Sequence, residues 1–163
     1  PNNKNIQLAA KQAAELAEEN VYVVESKTAP QGLAAVMVFN PNVSPEENFA
    51  NMQEVLGTVS TLEVTHAVRD THIEGVEIKK DEFMGIRDGK IVVSNLSLNT
   101  VLEELLEKSI DEDKEIVTIY LGEESTDEYT DFLEKLIEDK YPDVEVELVE
   151  SGQPVYPYII GLE

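Results

Sequence analysis

The sequence predicts an α/β protein with two lobes, a partial parallel α/β lobe over residues 1–60 and a smaller mixed α+β lobe over residues 61–163. Helical apolar spacing alternates with short apolar runs typical of strands at both ends of the chain. Between them, residues 65–93 alternate in the manner of strands and contain two hairpin turn signals, Glu74-Gly75 and Asp88-Gly89. We therefore expect an antiparallel meander in the middle, joining the two lobes.

The first lobe is predicted to contain three helices and one strand. Residues 5–19 have apolar residues near helical spacing after an Asn-rich start that suits capping. Residues 21–25, VYVVE, are apolar on both faces, which is typical of a parallel strand covered on both sides. A short buried helix begins at Pro30, and the capping box Ser44-Pro45-Glu46-Glu47 starts a third helix that runs to about Leu56.

Two loops of this lobe lead into helix N-termini and carry candidate contact residues. They are Asn2, Asn3 and Lys4 in the first loop, and Thr28 and Gln31 in the second. If a strand precedes residue 1 in a parent protein, both loops lie at the carboxyl edge of a parallel sheet, where open α/β folds bind ligands. Asn and Thr also cap helices for purely structural reasons, so both interpretations stay open.

The meander carries both histidines of the chain. On a continuous strand His66, Val68, Asp70 and His72 would share one face, and such a face could hold a divalent metal or a general base. No further ligand has diagnostic spacing, so the sequence favours no metal site and no catalytic residue here. Arg69 points to the opposite face from Asp70, and we expect the two to make separate pairs that hold the lobes together.

The remainder of the second lobe alternates helix and strand. The pattern predicts a helix over residues 98–110, a strand over 116–121, a helix from the capping box Ser125-Thr126-Asp127-Glu128 to Tyr141-Pro142, and a strand over 144–149. Near the end, Pro154 and Pro157 are expected to confine the last strand to a sheet edge or an irregular pairing.

Composition restricts the function. The chain has 12 basic and 34 acidic residues and a net charge of −22, which disfavours nucleic acid and anionic membranes as partners. The acidic surface either keeps the protein soluble or docks a basic partner protein. There is no cysteine, no apolar run of about 20 residues and no signal-peptide layout, so we expect a soluble, cytoplasmic protein without stable membrane insertion. The start at Pro1 suggests a fragment of something longer.

The sequence contains none of the motifs that mark common active sites. There is no P-loop, GxGxxG, GxSxG, HExxH or DxDxDG segment. The chain is therefore not expected to be a complete enzyme.

Four segments together carry a family resemblance over nearly the whole chain: PNNKNI, SKTAPQGLAA, AVRDTHIEGVEIKKDEFMGIRDGKIV and GQPVYPYIIGLE. They resemble the C-terminal domain of the bacterial dihydroxyacetone-kinase (DAK) domain protein that serves as the kinase subunit of fatty acid kinase. The resemblance implies a DegV-like and dihydroxyacetone-kinase-like fold of two α/β lobes, with the strand before PNNKNI missing. It also implies a separate N-terminal kinase domain that binds ATP and magnesium, with no cofactor in this fragment.

The same resemblance implies a role. The fragment would be non-catalytic and would recruit or position a DegV-like fatty-acid-binding protein, whose bound acyl carboxylate the parent ATP-dependent kinase phosphorylates to an acyl phosphate. Two alternatives stay open. One is a domain that holds a fatty acid, triose or other anion between the lobes near Asn2, Asn3, Thr28 and Gln31. The other is a hydrolase or phosphatase that uses His66, Asp70 and His72. The candidate contact residues are Asn2, Asn3, Lys4, Thr28, Gln31, Arg69, Asp70 and His72, and homo-oligomerisation is possible.

Overall fold

The structure, a computed structural model, describes residues 3–73 and 75–163 and divides into two units, Pro1–Val59 and Ser60–Glu163. The described residues form five helices: α1 (Lys4–Leu16), α2 (Ala29–Met37), α3 (Pro45–Val55), α4 (Leu98–Glu107) and α5 (Asp127–Lys140). The strands are β1 (Ser60–His66), β2 (Thr71–Ile73), β3 (Val76–Ile78), β4 (Phe83–Arg87), β5 (Lys90–Asn95), β6 (Ile116–Leu121), β7 (Glu145–Glu150) and β8 (Tyr158–Leu162). The mixed α/β fold class is thereby confirmed. No helix in the described part of the chain is long and apolar enough to cross a membrane.

The three helices of the first unit begin at polar caps that the sequence indicates. A side-chain oxygen accepts a hydrogen bond from a backbone amide two or three residues on, which satisfies one of the free N–H groups at each helix start. The caps are Asn3 to Asn5 N at 2.9 Å and Ile6 N at 3.3 Å, Thr28 to Gln31 N at 3.4 Å, and Ser44 to Glu47 N at 3.1 Å.

Residues 21–25 differ from the prediction of a parallel strand. The segment runs without a turn or a bend, but no strand of the described chain pairs with it. Its recorded contacts are made through side chains. The Glu25 amide donates to Gln53 Oε1 at 3.0 Å, and the Tyr22 hydroxyl donates to Glu46 Oε1 at 2.7 Å. A β-strand requires a hydrogen-bonded neighbour, so an apolar run alone could not decide this element.

The second unit is built on a six-stranded mixed sheet in the order β5-β4-β1-β8-β6-β7. Only β6 and β7 pair in parallel, because α5 forms the crossover between them, and all other neighbours are antiparallel. Side chains from one face of the sheet form the core together with α4 and α5. The largest fully buried ones include Leu62, Leu102, Leu105, Ile119, Leu133, Tyr158 and Ile160.

The predicted meander is present as β1, β4 and β5, but it is not continuous. The chain leaves β1 at Ala67, where the Ala67 amide donates to the Glu82 carbonyl oxygen and the Asp81 amide donates back to the Ala67 carbonyl oxygen, each at 2.8 Å. Between these points β2 and β3 form a separate two-stranded sheet. A single strand through both histidines was therefore a wrong prediction, since the buried Ala67 is tied to Glu82 and Asp81.

The turn signals have different outcomes. Asp88 and Gly89 both have positive φ, 49° and 80°, as a two-residue hairpin with a type I′ turn requires. Glu74 lies outside the described residues, while Gly75 also has a positive φ of 89°.

Two predictions near the C-terminus were wrong. Ser125 does not cap α5, because its Oγ donates to the Gly122 carbonyl oxygen at 2.7 Å, and the Thr126 side chain makes no capping bond either. β8 lies between β1 and β6 rather than at an edge. Both prolines precede Tyr158, the first residue of β8, so the missing N–H groups fall outside the strand. The edge next to β6 is formed by β7, which pairs on one side only.

Candidate functional site

The candidate residues of the first unit serve its own backbone. Asn3 and Thr28 cap α1 and α2, and Gln31 bridges two loops: its Oε1 accepts from the Lys27 amide at 2.9 Å and its Nε2 donates to the Val59 carbonyl oxygen at 3.2 Å. Lys4 is exposed in the first turn of α1, and Asn2 lies outside the described residues. The structural interpretation of these positions accounts for their contacts.

A shallow cleft on the β2–β3 hairpin holds Asp70 and His72. Its volume is about 490 Å³, and it is lined by Asp70, Thr71, His72, Glu77, Ile78 and Lys79. Asp70 Oδ1 accepts from the Lys80 amide at 2.7 Å, so its recorded contact lies inside the second unit. Arg69 is exposed, and none of the ion pairs among the described residues involves it. The predicted pairs of Arg69 and Asp70 between lobes are not among these contacts.

His66 and His72 belong to different sheets. His66 ends β1, where its ring contacts that of Phe83 with 4.2 Å between centroids and a tilt of 41°. His72 is in the separate hairpin. Within residues 3–73 and 75–163, no group of three or more His, Asp or Glu side chains is placed to hold a metal ion. The single face proposed for a hydrolase or phosphatase is therefore not formed.

A half-buried carboxylate, Glu63, lies on the face of the central strand β1 opposite to the core. Burial raises its pKa, and the nearby negative charge of Asp88 raises it further. The Tyr156 phenol also has a raised pKa, first because of burial and second because of Glu63. The alternation STLEVTH places Glu63 opposite Leu62 and Val64, but the sequence contains no sign that this face is partly covered.

The loop before β8 presents a strained apolar residue on a fixed backbone. Val155 has a φ of 74°, which a β-branched residue rarely adopts, and its side chain is 61% exposed. The loop is held by Thr65 Oγ1, which donates to the Val155 carbonyl oxygen at 2.9 Å. Gln153 Nε2 also donates to the carbonyl oxygens of Tyr120 and Tyr156 at 3.1 and 2.9 Å. Strain held in place by surrounding contacts is typical of functional surfaces.

Two further apolar side chains are exposed at the same end of the six-stranded sheet. Val68, 83% exposed, follows β1, and Leu96, 72% exposed, follows β5. The register brings the ends of β1 and β5 to the start of β8, because His66 is opposite Phe83, Phe83 opposite Asn95, and Val64 opposite Tyr158. We call Val68, Leu96 and Val155 the apolar end of the sheet. No local sequence pattern indicates it, because its members are far apart in the chain.

An apolar cavity of about 570 Å³ lies within the first unit. It is bordered by α1, by the unpaired segment 21–25 and by α2, with Ala10, Ala13, Ala14, Val21, Val23 and Ala35 among its lining residues. Neither Thr28 nor Gln31 lines it. The cavity therefore offers apolar surface and almost no groups for an anion.

Comparison with known families decides the classification. The family of FakA-like C-terminal domains, those of the kinase component of fatty acid kinase and similar proteins, matches residues 1–163. The chain belongs to this family. Protein YloV of Bacillus subtilis is 44% identical over 163 residues, which is all of this chain and 30% of that protein. An uncharacterized protein of Staphylococcus haemolyticus is 45% identical over the same length and share. The chain spans 30% of the length of these curated relatives.

Solved structures place this FakA-like C-terminal domain in the DegV fold. A DegV family protein from Corynebacterium glutamicum superposes with a TM-score of 0.68 at 18% identity, covering 95% of this chain and 67% of that one. A DegV family protein from Ruminococcus gnavus, whose structure is described with vaccenic acid, gives a TM-score of 0.64 at 14% identity, covering 96% and 65%. The expected family and DegV-like fold are both confirmed, whereas ligands, cofactors and partners remain proposals.

Proposed function

We propose that this domain is a non-catalytic part of a fatty acid kinase and that it recruits or positions the protein that carries the fatty acid. The observation that supports this most strongly is the match to the FakA-like C-terminal family of fatty acid kinases along all 163 residues. The parent protein is then an ATP-dependent phosphotransferase. ATP and magnesium bind its kinase domain, outside this chain, and the reaction takes place in the cytoplasm.

The apolar end of the sheet is the surface that suits such docking. Val68, Leu96 and Val155 are exposed side chains on one end of a hydrogen-bonded sheet, so little conformational entropy is lost when they are covered. Arg69 follows Val68 directly and adds a charged group at the rim. Rim charges of this kind set orientation more than affinity.

The contribution to catalysis would be proximity. A kinase and a separate acyl-carrying protein meet by diffusion, and holding them together converts a bimolecular step into an effectively unimolecular one. The net charge of −22 adds long-range attraction for a carrier with a basic surface. The domain would therefore accelerate acyl phosphate formation without contributing a group that touches the reacting atoms.

The test uses the whole parent protein and its cognate fatty-acid-binding protein. Calorimetric titration should give saturable binding, and the pair of substitutions Val68→Asp and Val155→Asp should weaken it at least tenfold. Leu16→Asp is the matched control, because it places the same charge on another highly exposed apolar residue and should leave affinity unchanged. No binding by the unaltered protein would overturn the proposal. Equal affinities of both variants would overturn the proposed surface.

The apolar cavity of the first unit favours one alternative function, the binding of a small molecule. Its apolar lining suits an acyl chain and does not suit a triose or a free anion, which need polar partners. Extraction of the natively purified parent protein, followed by mass spectrometry, should then release fatty acid in a near one-to-one ratio. Protein free of lipid that also fails to displace a fluorescent fatty acid would exclude this alternative.

A further inference from the structure

The unpaired segment 21–25 has the composition of an interior strand and the surroundings of an edge. Its sequence, VYVVE, is apolar on both sides, and it runs without a turn or a bend. No backbone-to-backbone hydrogen bond joins it to another described residue. Because each extended residue carries a donor and an acceptor that a strand normally pairs, this segment is an open position in a sheet.

The side chains around the segment are uncovered on the same side as the cavity. Val21 is 51% exposed although β-branched residues of this kind usually lie inside. The cavity of about 570 Å³ is bordered by residues 21–24 on one side and by alanines of α1 on another. An occupant with apolar side chains and a backbone that pairs with residues 21–25 would satisfy both features together.

The position of α1 indicates where such an occupant comes from. α1 lies against the segment that follows it: Ala10, Ala13 and Ala14 border the same cavity, and Lys11 Nζ lies 2.7 Å from Glu25 Oε1. A helix that packs on the strand after it is the second half of a βαβ unit. In that unit, the strand before the helix lies parallel to the strand after it and usually next to it.

The length of the related chains supports an occupant from the same polypeptide. The superposed DegV structure from Corynebacterium glutamicum has one third of its chain outside the match, and the curated relatives are more than three times as long as this chain. The DegV fold thus contains chain beyond the equivalent of these 163 residues.

We propose that residues 21–25 pair in parallel with a β-strand formed by the polypeptide just before Pro1 in the whole protein, and that the side chains of this strand fill the apolar cavity. This inference is independent of the docking role. It competes with the small-molecule alternative, because a strand and an acyl chain cannot occupy the same cavity.

Cysteine cross-linking in the whole protein tests the pairing. This chain contains no cysteine, so in a parent whose remaining cysteines are replaced, Val23→Cys can be combined with single cysteines placed at successive positions before Pro1. Neighbouring strands lie about 5 Å apart, within the range that a disulfide spans. We expect a disulfide within one polypeptide at one register or its immediate neighbours. As the matched control, Leu16→Cys in place of Val23→Cys should give none.

Amide hydrogen exchange provides a second readout that does not depend on a substitution. In the whole protein, alternate amides of residues 21–25 should exchange about 100-fold or more slowly than in an unstructured peptide. The slowing should be independent of protein concentration, of the fatty-acid-binding protein and of lipid removal. A disulfide between two polypeptides, or protection that requires high concentration, would mean a second copy instead. Protection that requires the partner or lipid, or no protection and no cross-link at any position, would also overturn the proposal.

Discussion

The buried hydroxyl of Tyr158 donates to the Thr126 carbonyl oxygen at 3.1 Å and accepts from the Thr126 amide at 3.2 Å. Tyr158 is the first residue of β8 and Thr126 is the residue before α5, so this pair fixes the helix start to the central sheet. Because the Thr126 side chain makes no capping bond, the phenol of a distant tyrosine replaces the local cap that the sequence predicts.

Removing this hydroxyl should destabilise the second unit. Tyr158→Phe leaves the buried Thr126 backbone groups without that partner, and the free energy of unfolding should fall by about 1–3 kcal/mol. Thr126→Ala is the matched control and should cost less than about 0.5 kcal/mol, well below the usual cost of losing a cap. Urea unfolding followed by circular dichroism measures both, and a larger loss for Thr126→Ala would contradict the assignment.

Gly122 should not tolerate a side chain. A Cβ at this position would lie 2.2 Å from the Tyr156 carbonyl oxygen and 2.8 Å from that of Gln153, both of which are backbone atoms. Gly122→Ala should therefore force the loop before β8 to move and lower the free energy of unfolding by about 1–3 kcal/mol. Gly57→Ala is the control, since its nearest neighbour, the Glu54 carbonyl oxygen, is 3.5 Å away. Thermal denaturation of the two variants should separate clearly, and similar melting temperatures would refute the predicted clash.

Val155 should be replaceable with a gain in stability. Asn adopts positive φ more readily than a β-branched residue, so Val155→Asn should raise the free energy of unfolding by about 1 kcal/mol. If the strain serves docking, the same variant should bind the fatty-acid-binding protein more weakly in calorimetry. A variant that is both more stable and equally tight in binding would show that the strain has no role in recognition.

The burial of Glu63 should make stability depend on pH. Its pKa is raised in the folded protein, so the folded state holds this proton more tightly than the unfolded chain does. The destabilisation by its charge is absent below the unfolded pKa and fully present above the folded pKa. Glu63→Gln should therefore stabilise the protein at pH 7 and lose this advantage as the pH falls toward the ordinary carboxyl range.

Comparison with an exposed glutamate separates burial from net charge. Glu147→Gln, on the exposed edge strand β7, removes one negative charge without removing a buried one. Urea titrations at several pH values should give a smaller gain for Glu147→Gln at pH 7. Equal gains for the two variants would mean that the overall charge of −22, and not the burial of Glu63, causes the effect.

Association with the carrier should weaken as salt is added, because the acidic surface acts over distances that ions screen within about 8 Å at physiological ionic strength. We expect the association rate in stopped-flow measurements to fall at least tenfold between 20 and 500 mM salt, with a smaller change in the dissociation rate. Rates that do not respond to salt would remove the electrostatic contribution and leave the apolar end of the sheet as the basis of docking.

Local patterns predicted the elements of this chain better than its pairings. Ser44 and Asp88-Gly89 act within a few residues of themselves, so a cap and a hairpin could be recognised directly. The end of β1 at Ala67 depends on Glu82 and Asp81, and the start of α5 depends on Tyr158, 32 residues later. The apolar end of the sheet combines residues after β1, after β5 and before β8, and no spacing along the chain reports that proximity.

The edge strand β7 alternates Val146 and Leu148 with Glu145 and Glu147, and its outer side has no neighbour among the described strands. Two copies that met along this edge in antiparallel order would bring glutamates against one another, with strands about 5 Å apart. At neutral pH, repulsion therefore keeps the sheet from continuing into the next molecule. Once these carboxylates are neutralised below pH of about 4, that barrier disappears, and an acid-exposed preparation should form fibrous aggregates through this strand.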